Sequence, residues 1–262
     1  MNLDLSGKVV MVAAASKGLG YGIARAAAHE GARVYVCSRD AEAIRAAAER
    51  LAAESGAAVQ PFACDVTTPD GIAAWVESVR GREERIDALA VNTGGPPAGL
   101  FLELTDDHWQ AAFNLLLMSA IRLIRAVVPH MTAGGAILTV TSSSVKEPIE
   151  RLALSTVMRA GVTALVKTLA DELAPHKIRI NTLIPGRIDT ERVAHLDAIT
   201  AEKTGKPIEQ VRAETVGRIP LKRLGSIEEF GAAGAFLLSP AASYITGAAL
   251  RVDGGAMRSI TS

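Results

Sequence analysis

The chain is poor in several residue types, and each scarcity narrows what it can be. It has two cysteines among 262 residues, too few for a disulfide scaffold. Cys37 and Cys64 each end an apolar run, which reads as buried structural thiols in a reducing compartment. No Cys/His spacing fits a metal site, so no metal is expected. It has no net charge: Lys+Arg and Asp+Glu are 28 each, which argues against a nucleic-acid footprint or a membrane-surface patch. By inspection no apolar run reaches the ~18 residues that suggest a membrane-spanning helix. The first residues, Met1-Asn2-Leu3-Asp4-Leu5, lack the basic and apolar blocks of a secretory signal. A cytoplasmic location is expected. Tyrosine is also scarce, at Tyr21, Tyr35 and Tyr244 only.

What remains is an apolar chain, 49% hydrophobic, long enough for one large α/β domain over residues 1–262. Apolar runs over 8–14, 32–37, 58–64, 86–91, 136–140, 177–183 and 248–252 predict seven strands. They are continuous rather than alternating, as when both faces of a sheet are covered. Helical stretches separate them, over 18–30, 41–54, 69–80, 105–130, 152–174 and 226–238. Such alternation predicts a Rossmann-like, doubly wound, seven-stranded parallel sheet with helices on both faces. Residues 187–223 form the main insertion. Gly205 and Pro207 split it into two helices, and its place after strand six suits a lid.

Two clusters carry the chemistry. The first strand runs into Ser16-Lys17-Gly18-Leu19-Gly20. Gly18 and Gly20 can bring backbone N–H groups close to a pyrophosphate at a helix N-terminus. Strand two ends in Ser38-Arg39, where an acid that reads a ribose 2′-OH often stands. A cation there pairs instead with a 2′-phosphate, and Lys17 can assist. This predicts NADP(H) over NAD(H), with Asp40 as a competing acid one position late. The second cluster follows strand five: Ser142, a short loop with Pro148, then Ser155 and Arg159 on one helix face.

With these pieces assembled, the chain resembles the short-chain dehydrogenase/reductase family, especially its 3-oxoacyl-carrier-protein-reductase-like members. The resemblance runs from Leu5 to Gly255. It is carried by Ser16 to Gly20, Cys64-Asp65-Val66, Asn92-Thr93-Gly94, Asn114, Ser142, Pro185-Gly186-Arg187-Ile188-Asp189-Thr190 and Val252-Asp253-Gly254-Gly255. It implies a homotetramer (or homodimer) acting on a small carbonyl or alcohol. It also implies that Asp65 and Val66 contact adenine, Asn92 the adenine ribose region, and Ile188 and Thr190 the nicotinamide end.

Two departures stand out. The family's glycine turn starts Thr-Gly, where this chain has Ala13-Ala14. The family also places a Tyr thirteen residues after its Ser and a Lys four residues further on, with a helical Asn behind. Counting from Ser142, those positions are Ser155 and Arg159, while Asn114 and Ser142 are kept. A serine hydroxyl is far less acidic than a phenol and shorter by a ring, so Ser155 is expected to hold a water rather than donate directly. Arg159 keeps the charge but does not exchange protons as lysine can. Lys146, Glu147, Glu150 and Arg151 are the loop groups that could stand in, or simply solvated charge. Tyr35 is expected in the core and Tyr21 at the surface. Three functions stay open: an NADP(H)-dependent oxidoreductase with an altered proton donor, a cofactor-binding protein with little turnover, and a lyase or isomerase on the same scaffold.

Overall fold

The computed structural model describes residues 3–260; Met1, Asn2, Thr261 and Ser262 lie outside the described residues. Seven strands form one parallel sheet: β1 (Val9–Val12), β2 (Arg33–Ser38), β3 (Val59–Ala63), β4 (Ala88–Val91), β5 (Gly135–Val140), β6 (Ile178–Pro185) and β7 (Ala249–Val252). Their spatial order is β3-β2-β1-β4-β5-β6-β7. The order reverses between β1 and β4, which pair in parallel through Val10↔Ala88 and Val12↔Ala90. That reversal is the switch point beside which open α/β sheets bind ligands, at the carboxyl ends of the strands.

Every residue of β1 and β4 is buried, because the strand period of two sends neighbours into different layers. Val10, Val12, Val34, Val36 and Leu138 face one core with α1 (Gly18–His29), α2 (Ala41–Ser55) and α9 (Ile227–Leu238). Val9, Met11, Tyr35, Leu89 and Ile137 face the other, with α3 (Pro69–Arg80), α5 (Ser119–Val127) and α6 (Ala153–Leu173). Within the first layer α1 and α9 meet backbone to backbone where Gly22 and Gly231 cross. A Cβ on Gly231 would stand 2.1 Å from the Gly22 carbonyl oxygen, and one on Gly22 would stand 2.3 Å from that of Ile227.

Two sequence expectations are corrected. By length and composition the 25-residue stretch Asp106–His130 does suffice to cross a membrane. Here it packs inside the domain: Ala120, Leu123, Ile124 and Val127 sit in the second core. It starts as α4 (Asp106–Ala112), capped by Thr105, passes through a π-helical segment Phe113–Met118, and continues as α5. Tyr21 is buried rather than superficial, 8% exposed. Its hydroxyl donates to Glu54 and Arg50 lies 5.3 Å over its ring. Tyr35 is in the core as expected, its hydroxyl on Glu83, and burial followed by that carboxylate pushes it up to about 12. The 187–223 segment contains α7 (Glu191–Thr204) and α8 (Ile208–Arg218), split where Gly205 adopts φ +67°. Between them these two helices bury only Asp197 and Val211.

Candidate active site

One cavity of about 1160 Å³ opens at the carboxyl ends of β1 to β6. It gathers Ser16, Lys17, Gly18, Leu19, Ser38, Arg39, Asp65, Val66, Asn92, Gly94, Ser142, Ser155, Arg159, Pro185, Gly186, Ile188 and Thr190. Gly20 sits behind this wall, and Asn114 is outside it, one residue before the lining Leu115. Asn114 lies in the π-helical segment, where a slipped hydrogen-bond ladder often marks a functional position. Its side chain makes no hydrogen bond among the described residues.

The nucleotide end is built by backbone. Gly18 takes φ +62°, and a Cβ on Gly20 would stand 2.4 Å from the Ala14 carbonyl and 2.8 Å from Asn92 Nδ2. Asn92 Nδ2 donates to that same carbonyl at 3.2 Å. The helix that follows, α1, has neither a side-chain cap nor an acid in its first turn. An uncapped helix start behind a glycine turn fits a pyrophosphate, since its first N–H groups have no intrahelical partner. Ala14 itself adopts φ +49°, a conformation that costs an L-residue and suits glycine.

At the end of β2, Arg39 is exposed and makes no ion pair among the described residues. Asp40 is engaged, its Oδ1 accepting from Ala43 N–H as the cap of α2. Lys17 is not free as the sequence suggested: it pairs with Glu191 on the first turn of α7. Asp65 turns one oxygen to Thr67 N–H at 2.9 Å.

The polar end follows β5. Ser142 Oγ accepts from Ser144 N–H at 3.2 Å and from Ser144 Oγ at 3.1 Å. Both lone pairs are thus engaged and its own proton is left to donate. Beside it, Thr141 Oγ1 is buried without a partner. Ser155 and Arg159 stand on α6, each 8% exposed. The Arg159 fork donates to two carbonyls, Val140 at 2.8 Å and Gly94 at 3.2 Å, and so bridges the ends of β5 and β4. Burial first, and then the nearby Arg192, pull Arg159 down to about 10, so it is still a cation at neutral pH. In the loop, Glu147 accepts from the N–H groups of Arg258 and Ser259, and Arg151 pairs with Glu103 at 3.0 Å. Both are therefore structural contacts. Lys146 does not line the cavity, whereas Glu150 does, exposed at its rim.

Thr141, Leu115, Leu196, Ile199 and Thr200 also line the cavity, and sequence reading did not single them out. Arg192 lines it as well. One signal does mark it. Arg192 stands in the first turn of a helix capped by Thr190, where a cation opposes the helix dipole.

A parallel sheet whose strand order reverses beside an uncapped helix and a glycine turn defines a Rossmann-like α/β fold. The family model described as Enoyl-(Acyl carrier protein) reductase matches residues 13–257. The chain is 32% identical to the 3-oxoacyl-[acyl-carrier-protein] reductase FabG of Thermotoga maritima, over 97% of this chain and 99% of that one. It is similar to the L-sorbose reductase of Gluconobacter frateurii, solved with NADPH and L-sorbose: TM-score 0.94, 33% identity, covering 99% and 100% of the two chains. It is also similar to YwfH, an NADPH-dependent reductase involved in bacilysin biosynthesis: TM-score 0.92, 29% identity, covering 97% and 100%. The chain belongs to the short-chain dehydrogenase/reductase family, and its class is oxidoreductase.

Proposed function

We propose that this protein is an NADP(H)-dependent oxidoreductase that reduces a carbonyl or oxidises an alcohol, 3-oxoacyl-reductase-like, with Ser142, Asn114, Ser155 and Arg159 in place of the family's tyrosine-centred set. The observation that carries it is the Ser142 hydroxyl. It accepts twice from Ser144, so its proton is available to a carbonyl oxygen in the cavity. A donor fixed in advance stabilises charge that develops on that oxygen. When bound, the nicotinamide supplies or takes the hydride. Ser155 holds a water that delivers the proton, and Asn114 serves that relay. Arg159 keeps a positive charge at the wall and grips ribose hydroxyls with the donors left over from Val140 and Gly94.

Preference for the 2′-phosphate rests on Arg39, which is exposed and unpaired among the described residues, and on Asp40, whose carboxylate is committed to capping α2. Two similar structures involve NADPH, and another, a 7α-hydroxysteroid dehydrogenase, is complexed with NADH. The scaffold alone therefore does not choose, and the end of β2 must. Residues 187–223 act as the lid. Assembly as a homotetramer (or homodimer) in the cytoplasm belongs to the same proposal, and sizing of the native protein tests the assembly.

The first experiment is calorimetry on nucleotide-stripped protein. Tight NADPH binding, weaker NADH binding and a reversal in Arg39→Glu are expected. A carbonyl screen then follows NADPH oxidation. No binding of either nucleotide would remove the oxidoreductase reading.

A further inference from the structure

Arg159 and Arg192 bring two guanidinium groups to one three-residue turn. Arg159 donates to the Gly94 carbonyl, and Arg192 reaches the Pro96 carbonyl at 3.4 Å. The space a Cβ on Gly95 would take lies 3.3 Å from Arg192 Nη2. Both arginines line the cavity, and neither has a carboxylate partner among the described residues. One is buried and the other exposed.

Four of the five acids that share the wall are engaged elsewhere. Glu191 is held by Lys17, Asp189 by Arg212 at 3.0 Å, and Asp40 and Asp65 by backbone N–H groups. Glu150 is exposed at the rim and pairs with no described cation. Two like charges converging without an anion disfavour each other. Burial and Arg192 both act against the charge on Arg159. A carboxylate on Arg192 would offset that repulsion, and a guanidinium fork matches its two oxygens. The same lining offers apolar side chains, Leu115, Ile149, Leu152, Val193, Leu196 and Ile199, beside polar Thr141, Ser143 and Thr200.

We propose that Arg192, beside the buried charge of Arg159, forms an anion subsite for the substrate's carboxylate, so that the substrate is an oxo or hydroxy acid with an apolar body. This rests on the oxidoreductase reading for its chemistry but not for its test, because binding is the readout.

The probes are 2-, 3- and 5-oxohexanoate, each beside its methyl ester, titrated by calorimetry with and without NADPH. At least one acid should bind about tenfold to a hundredfold tighter than its ester, the range for charge-assisted hydrogen bonds. Arg192→Met should remove that preference, and Arg192→Lys should restore part of it. Binding of NADPH to Arg192→Met separates the other source of an anion. If its Kd rises by as much as the acid preference falls, the pair holds a cofactor phosphate and the substrate assignment is overturned. It is overturned equally if no acid outbinds its ester, or if Arg192→Met weakens acid and ester alike. An acid that binds with this preference but is never reduced leaves the subsite standing and sinks the oxidoreductase reading instead.

Discussion

Replacing Ala14 with glycine should make this protein more stable, although it removes a methyl group and no known contact improves. Ala14 lies two residues past the end of β1 with φ +49°. An L-residue in the left-handed region costs roughly 1–2 kcal/mol through the crowding of its Cβ. Glycine is free of that cost but gives back about 0.5–1 kcal/mol through the larger freedom of its unfolded chain. The net gain is about 0–1.5 kcal/mol, centred near 0.75. At about 2 cal/mol/K per residue, unfolding 262 residues carries an entropy near 0.5 kcal/mol/K, so Tm should rise by up to about 3 °C, with about 1.5 °C the central value. Replicate calorimetric scans resolve a shift of that size. The neighbouring substitution fixes the sign. Gly20→Ala would drive a Cβ to 2.4 Å from the Ala14 carbonyl, against backbone that cannot yield cheaply. It should lower stability by about 1–3 kcal/mol and weaken nucleotide binding. If Ala14→Gly lowers Tm, or if both variants shift it the same way, the account of the turn is wrong.

Three other outcomes are expected. Ser142→Ala should lower kcat by about 10²–10³, the range for loss of one oxyanion donor, while NADPH affinity measured by calorimetry changes little. Arg159→Lys puts a single ammonium where a fork now meets Val140 and Gly94. One buried carbonyl then loses its partner at a cost of about 1–3 kcal/mol, read as a lower urea midpoint at unchanged m. Glu229 is held down to about 2 by the Arg223 fork and the Ser226 N–H. Because its folded pKa lies below the unfolded one, its stabilisation is present above about pH 4.5 and is lost as pH falls toward 2. Glu229→Gln should therefore flatten the decline of Tm between those values, and an unchanged slope would exclude the pair as its source.

Much of the sheet was readable from sequence because its strands are unbroken apolar runs closed by glycine or polar residues. β1, buried on both faces, is the plainest case. The two helices of the 187–223 segment were marked by Gly205 and Pro207. Ser142, Ser155 and Arg159 could be placed together because they follow the carboxyl end of a strand. What escaped was set by contacts distant in sequence. Tyr21 reads as a surface residue until Glu54 and Arg50 of α2 cover it. Lys17 meets Glu191 across 174 positions, and no local pattern announces that. The π-helical turn at Asn114 leaves no mark in composition, since it differs from α-helix only in which carbonyl each N–H meets. The apolar 106–130 stretch was underestimated because its few charged residues interrupt the run yet leave its mean hydropathy high.

The bare crossing of Gly22 and Gly231 has a mechanical consequence. The first helix after the nucleotide turn and the last helix before β7 touch backbone to backbone. The opening and closing units of the chain are thereby riveted at the crossing, with Ile23 packed against Gly234 one turn further along. A rocking of the two halves of the sheet would have to break that crossing. Access to the cavity therefore falls to α7 and α8, whose two buried residues make them the cheapest part of the wall to lift. Amide exchange should be fastest there and slowest along the rivet.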